Sequence, residues 1–364
     1  MRTATRTLLW SGGLFVLLCA TVLVSAALGP VRIDILTVAR ATLNTLAVPS
    51  GISVGFDTAT TAGVDIPFPT LDIAYTGFFT FDVPTTAQII VSDIRLPRIL
   101  LGAIVGFVLA TAGTVMQGFF RNPMADPSII GVSSGAAVGA VAVIAFSLTI
   151  PLQVAAFISS LVTAFAVYII ATNNGRTPVA TLLLSGVAVQ TFLGSIISYM
   201  LLQSGESLEQ AVYWMMGHLS NSRWSEVEIT LPFAIILFIA LLAYARDLNV
   251  MLLGEEDAQS LGINVERTKR LLLGGSAVIT AAGVAVAGVI GFVGLIVPHM
   301  MRLVVGPDHR ILIPTSALSG ATFLVLADTL ARAGPAEVPV GIVTSAVGAP
   351  FFLLLLRKRE VHSL

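Results

Sequence analysis

The chain has 364 residues, of which 56% are hydrophobic and 11% charged, with a formal net charge of −1 and a mean hydropathy of +0.94. Soluble domains carry about 25% charged residues, so this chain lacks the polar surface to coat a globule in water, and it has no basic footprint for nucleic acid. Its single cysteine, Cys19, excludes an intramolecular disulfide and a cysteine metal cluster.

Arg2 and Arg6 precede an apolar run from Leu8 to Leu28. That run exceeds the ~7–15 residues of a signal-peptide core and reads as an uncleaved first span. Further apolar windows lie near 96–117, 128–149, 152–171, 178–202, 229–245, 271–305, 312–330 and 338–356, each near or above the ~20 residues that cross a bilayer. Basic residues at both ends, Arg2 and Arg6 then Arg357, Lys358 and Arg359, place both termini in the cytoplasm, which requires an even number of crossings. The 271–305 window is too long for one helix and is broken by Gly283, Gly288, Gly291, Gly294 and Pro298. It counts twice. The expected fold is an all-α polytopic membrane protein of about ten transmembrane helices, one membrane domain over 1–364, in the cell membrane.

In this topology most basic residues fall inside, while Arg32, Arg40, Arg95, Arg98, Arg223 and Arg332 fall outside. Residues 29–94 form a long extracellular loop, rich in Asp, with some strand-like alternation near Ile73–Phe81. It ends at Arg95-Leu96-Pro97-Arg98. Two arginines on the outer side run against the positive-inside trend, and Arg332 stands at another outer helix end. One reading is interfacial snorkelling; the other is a set of guanidinium groups that receive carboxylates from a docking protein.

Between the second and third spans lies GFFRNPMADPSIIGVSSG, with turn-forming Asn122-Pro123 and Asp126-Pro127. The polar stretch 246–270 contains Gly254-Glu255-Glu256-Asp257-Ala258-Gln259-Ser260-Leu261-Gly262. Acids at its start and Gly262 at its end suit a short cytoplasmic helix with a glycine stop, and Ala258 and Leu261 are expected on one face.

No G-x-x-x-x-G-K-[ST] is present, so no P-loop binds ATP. A secondary transporter needs ionisable groups along its spans. Asp328 is the one candidate, and its spacing to Arg332 favours a structural i,i+4 pair. Energy for transport therefore enters from another protein.

Taken together, RLPR, Gln117 followed by RNPMADP, GVSSGA, LGEEDAQSLG, GFVGLIVPHMMR, DHR and EVPVGIVTSAVGAPFF resemble the FecCD-type permeases of binding-protein-dependent ABC importers for iron–siderophores, haem and vitamin B12. The resemblance runs from about Arg95 to the C-terminus. It implies ten helices, a homodimer or a pair of related subunits, two cytoplasmic ABC ATPase subunits, an extracellular substrate-binding protein, no cofactor bound by this chain and no catalysis in it. It also implies roles for residues. Arg95, Arg98 and Arg332 receive the binding protein. Glu255, Ala258, Leu261 and Gly262 belong to the element that seats in the ATPase. Thr177, Val179, Ala180 and Thr181 lie at the inner gate, and the fifth span lines the path. Gln117, Arg121, Asn122, Pro123, Asp126 and Pro127 form the family motif. Tyr213-Trp214-Met215-Met216-Gly217 looks most like the vitamin B12 permeases, which points to cobalamin as cargo, with iron–siderophore or haem as alternatives.

Overall fold

The computed structural model of the chain describes residues 3–29, 31–61, 64–334 and 336–358, with the backbone alone at 47–76, 354–356 and 358. Arg2 and Arg359, which entered the orientation reading, lie outside the described residues.

Among the described residues, seven helices are long and apolar enough to cross a membrane, and three shorter apolar helices accompany them. The long ones are α1 (Thr3–Ala27), α4 (Leu96–Phe119), α6 (Leu152–Ala171), α7 (Val179–Gln203), α9 (Trp224–Ala243), α12 (Val265–Ala287) and α14 (His309–Ala331). The shorter ones are α5 (Val132–Ala145), α13 (Val293–Val305) and α15 (Val340–Lys358). These ten match the expected number of spans. Short helices α2 (Ile35–Asn44), α3 (Thr85–Ile89), α8 (Leu208–Met215), α10 (Ala245–Met251) and α11 (Glu255–Ser260) connect or cap them.

The stretch expected as a long loop carries ordered elements. Asp34 caps α2 by accepting from the Leu36 N–H. Strands β1 (Ala47–Thr61) and β2 (Val64–Gly77) then pair as an antiparallel hairpin. The alternation near Ile73 marks only the end of β2. A short π-helical turn over Ile90–Arg95 leads into α4.

α4 is the axis of the bundle. Its sequence is apolar on every side, as expected of a helix surrounded by protein, and nearly all of its residues are buried. It packs along α14, α12, α13 and α9. Glycines set the closest approaches. A Cβ at Gly106 would lie 2.2 Å from the Gly320 carbonyl oxygen, and one at Gly113 would lie 1.9 Å from that of Gly294. Small residues let membrane helices approach backbone to backbone, where van der Waals contact supplies the attraction that lipid cannot. The Gly294 carbonyl is also the one whose helical donor is missing, because Pro298 has no N–H.

The 271–305 window does divide in two, but unevenly. α12 starts earlier than expected, at Val265, and its 23 residues span about 34 Å at 1.5 Å per residue. Residues 288–292 are not helical, with Gly288 at φ 71 and Phe292 at φ 68. α13 then begins beside Gly113, part-way along α4. Its C-terminal carbonyl at Val305 accepts from Arg6 Nη2 at 3.1 Å, a cation on the negative end of a helix. The remaining apolar surface faces outward: α1 and α7 are largely unburied, as membrane-facing or partner-facing helices are.

Candidate functional site

Two ends of the bundle hold the residues singled out from the sequence. At the first end the three arginines are engaged inside the chain. Arg95 is 5% exposed. Its Nη1 donates to the Ala26 carbonyl at 2.6 Å and its Nη2 to the Val31 carbonyl, so it clamps the end of α1 to the start of α4. Gly29 leaves room for that guanidinium, since a Cβ there would sit 2.7 Å from Nη2. This corrects the expectation of an outward-facing Arg95, because backbone carbonyls that lack helical partners compete for it. Arg98 donates to Asp328, with Nη2 to Oδ1 at 2.7 Å, and also pairs with Glu337. Arg332 closes the group, with Nε 2.9 Å from Asp328 Oδ2 and Nη2 2.8 Å from Ser25 Oγ. The expected Asp328–Arg332 pair is present, and Arg98 was the missing third member. Glu337 is the exposed edge of the group, with 43% of its side chain accessible.

The Tyr213–Gly217 segment lies at this same end. Trp214 is buried. Its carbonyl oxygen lies 2.2 Å from where a Gly288 Cβ would be, and the Gly217 carbonyl accepts from the Gly341 N–H at 3.2 Å. The segment therefore locks the end of α12 to the start of α15.

The RNPMADP motif lies at the opposite end. Gln117 is buried in α4 and its Nε2 donates to the Leu295 carbonyl of α13 at 2.9 Å. Arg121 turns the chain at φ 48. Asn122 Oδ1 accepts from the Met124 N–H and Asp126 Oδ1 from the Ser128 N–H, at 2.9 and 2.8 Å. Pro123 lies inside this turn, and Pro127 opens a 3-10 turn over Pro127–Ile130 and is buried against Gly294. The motif is thus a built turn with a cross-link to α13.

α11 follows at this end as a single projecting turn and a half. Glu255, Glu256 and Asp257 occupy its first turn, where carboxylates complement the helix dipole. Its end is a Schellman motif: the Ile263 N–H reaches the Ala258 carbonyl at 3.0 Å and the Gly262 N–H the Gln259 carbonyl at 2.9 Å. Gly262 has φ 87 with open space around it, so the backbone conformation alone demands glycine. Ala258 and Leu261 do not share a face. Ala258 is fully buried against the bundle, whereas Leu261 is 64% exposed beyond the last helical residue. The missed exposed partner is Leu253, at 66%. Two projecting leucines beside Glu256 and Asp257 form the tip.

A groove of about 520 Å³ runs beside α11, lined by Phe119, Arg121, Val179, Met251, Glu255 and Glu256 among others. Thr177 is buried and its Oγ1 lies 2.9 Å from that of Thr172. Val179 is half-buried, and Ala180 and Thr181 are exposed at the start of α7. From there an uncovered stripe follows helical spacing: Thr181, Leu184, Val187, Thr191, Ser195 and Ser198. α7 has no charged residue, and the hydroxyls of Thr191, Ser195 and Ser198 each donate to the carbonyl four residues back. No group of three or more His, Cys, Asp or Glu poised for a metal occurs among the described residues.

A family model described as the FecCD transport family matches residues 14–358. The chain belongs to the FecCD transport family. It is 59% identical over 369 residues to a cobalamin import system permease protein of Halobacterium salinarum, covering 100% of both chains. It is 45% identical to a hemin transport system permease protein of Yersinia pestis, over 74% of this chain and 84% of that one. A solved ABC transporter described as of the metal-chelate type, in an inward-facing conformation, superposes with a TM-score of 0.76 at 29% identity, covering 96% of this chain and 99% of that one. The chain is accordingly a multi-pass cell-membrane protein and a transport permease subunit.

Proposed function

We propose that this permease carries cobalamin into the cell, as one half of a homodimer driven by two cytoplasmic ABC ATPase subunits and fed by an extracellular binding protein. The observation that carries the cargo assignment is the full-length similarity to the halobacterial cobalamin permease. The haem permease is less similar and matches only part of the chain. The buried Tyr213–Gly217 segment is a packing element and adds little to the choice.

In this reading the uncovered α7 stripe faces the second copy across the translocation path. A wall of small hydroxyls satisfied within their own helix presents no free charge to a bulky chelate. The α11 tip, with Leu253, Leu261 and two carboxylates, is a compact knob for a cleft in the ATPase. Thr177 to Thr181 lie where α7 opens towards that side. Docking falls to Arg98 and Arg332, because a carboxylate of the binding protein can replace the exposed Glu337. Arg95 reaches a partner only after releasing Ala26 and Val31. Alternation requires an element that both partners bias.

The direct test is uptake into proteoliposomes containing the permease, the ATPase and the binding protein. Labelled cyanocobalamin, haemin and a ferric hydroxamate are offered separately with ATP. ATP-dependent uptake of cyanocobalamin alone is expected. Uptake of haemin or the ferric chelate in its place removes the assignment.

A further inference from the structure

Lys269 is charged, lies in a run of charged residues, and is 2% exposed. Helical spacing explains the burial. Val265, Thr268, Lys269 and Leu272 form the inward face of the first turns of α12, so the side chain starts towards the protein. Its Nζ lies 2.8 Å from Glu255 Oε2, 3.3 Å from Glu266 Oε1 and 3.4 Å from the Thr177 carbonyl oxygen. An ammonium has three donors and no acceptor, and each of these three oxygens belongs to a different part of the fold. Glu255 opens α11. Glu266 belongs to α12. Thr177 ends the short connection between α6 and α7, one residue before Pro178, which is the N-cap of α7.

That connection is stiff. Asn173 and Arg176 exchange two backbone hydrogen bonds of 3.0 Å each, and the hydroxyls of Thr172 and Thr177 meet at 2.9 Å. A pull on the Thr177 carbonyl therefore reaches the first turn of α7 with little slack. We propose that Lys269 is the joint that passes a displacement of α11 to the cytoplasmic end of α7. It is a positioning residue and touches no cargo. The inference rests on the reading that α11 receives the ATPase stroke.

A purely structural lysine here would be replaceable. Removing one member of a fully buried ion pair is costly because the partner charge stays behind in a dry site, but the partners of Lys269 are not fully buried. In Lys269→Met the two orphaned carboxylates can rehydrate, since their side chains are 43% and 22% exposed. The fold is expected to tolerate that change, whereas a mechanical link is not.

The experiment uses the assembled importer with its ATPase and binding protein in proteoliposomes, in a Cys19→Ser background. Spin labels are placed at Gln259 in α11 or at Arg176 beside α7, both exposed. Distances between the two copies are measured with and without ATP, alongside cyanocobalamin imported per ATP hydrolysed. In the parent both distances shift with ATP. In Lys269→Met the α11 shift is expected to persist, the Arg176 shift to collapse, and import per ATP to fall about tenfold. Lys269→Arg is expected to restore at least half of both. Parent-like shifts and import in Lys269→Met overturn the joint, as does equal loss of both shifts in an assembled complex. If Lys269→Met fails to assemble, Glu255→Gln must show the same split between the two labels, and parent-like behaviour there also overturns the joint. An α11 label that never responds in the parent removes the coupling reading and the joint together.

Discussion

Arg98 Nη2 lies 2.7 Å from Asp328 Oδ1, between residues 230 positions apart in sequence, and Asp328 also takes Arg332 at 2.9 Å. The carboxylate is 2% exposed and the two guanidinium groups 13% and 10%. Two cations share one buried anion, and Glu337 supplies the balancing charge from the edge. Asp328→Ala leaves both arginines facing each other without it. Removing one member of a buried ion pair costs about 3–5 kcal/mol. A large drop in melting temperature of the detergent-purified permease is expected, and a drop no greater than that of an exposed control such as Glu206→Ala contradicts the assignment.

Glu337 is the member of that group a partner can displace. Glu337→Gln weakens its hold on Arg98 while leaving Asp328 in place. Tighter docking of the binding protein is expected, measured as a slower dissociation from immobilised permease. Weaker docking instead means that Glu337 is itself a contact for the partner.

Gly106 and Gly320 bring α4 and α14 into backbone contact. Gly106→Val forces a side chain into a carbonyl 2.2 Å from the first added atom, and overpacking of this kind costs roughly 1–3 kcal/mol. Gly274, within α12, has nothing within 4 Å of an added Cβ. Gly274→Ala is expected to be neutral or to stabilise by about 0.5–1 kcal/mol, the helical advantage of alanine over glycine. Melting curves of the two variants should therefore move in opposite directions or differ widely.

Asp308 caps α14 and is gripped by Arg310, then by Asn249 and the Arg310 N–H. The Arg310 side chain above all holds its carboxyl down to about 2. A depressed carboxyl contributes stability that is fully present above the ordinary carboxylate value of about 3.9 and is lost as pH falls through about 2. The advantage of the parent over Asp308→Asn in thermal stability should be constant at pH 5–7 and shrink between about pH 4 and 2. An advantage that does not change over that range removes the charged contribution. Asparagine keeps the cap itself, so the comparison isolates the charge.

The helical body was legible because apolar length and helix-breaking glycine and proline are local signals. The split of 271–305 followed from its length and its breakers, and the glycine stop at Gly262 from local backbone chemistry. Partners distant in sequence were not legible. Arg95 and Arg98 read as surface groups because nothing near them in the chain announces Ala26, Val31 or Asp328. Lys269 lay hidden in a charged run whose other members, Arg267 and Arg270, are exposed. Only the 265, 268, 269, 272 spacing marks it as inward. The packing of Trp214 was not legible either, because its neighbours Gly288 and the start of α15 arrive from far along the chain. The β1–β2 hairpin carried alternation in one strand, while Gly51 and Gly55 obscured the other.

The central position of α4 has a consequence for biosynthesis. The helix enters the membrane early, yet most of the surface that encloses it belongs to α12, α13 and α14, which the ribosome makes much later. Until then Gly106, Gly113 and Arg98 lack the partners they meet in the finished fold. A chain truncated before α14 should therefore remain bound to an insertion chaperone or be degraded, and site-specific photocrosslinkers at Gly106 should report that waiting state and its end once Gly320 emerges.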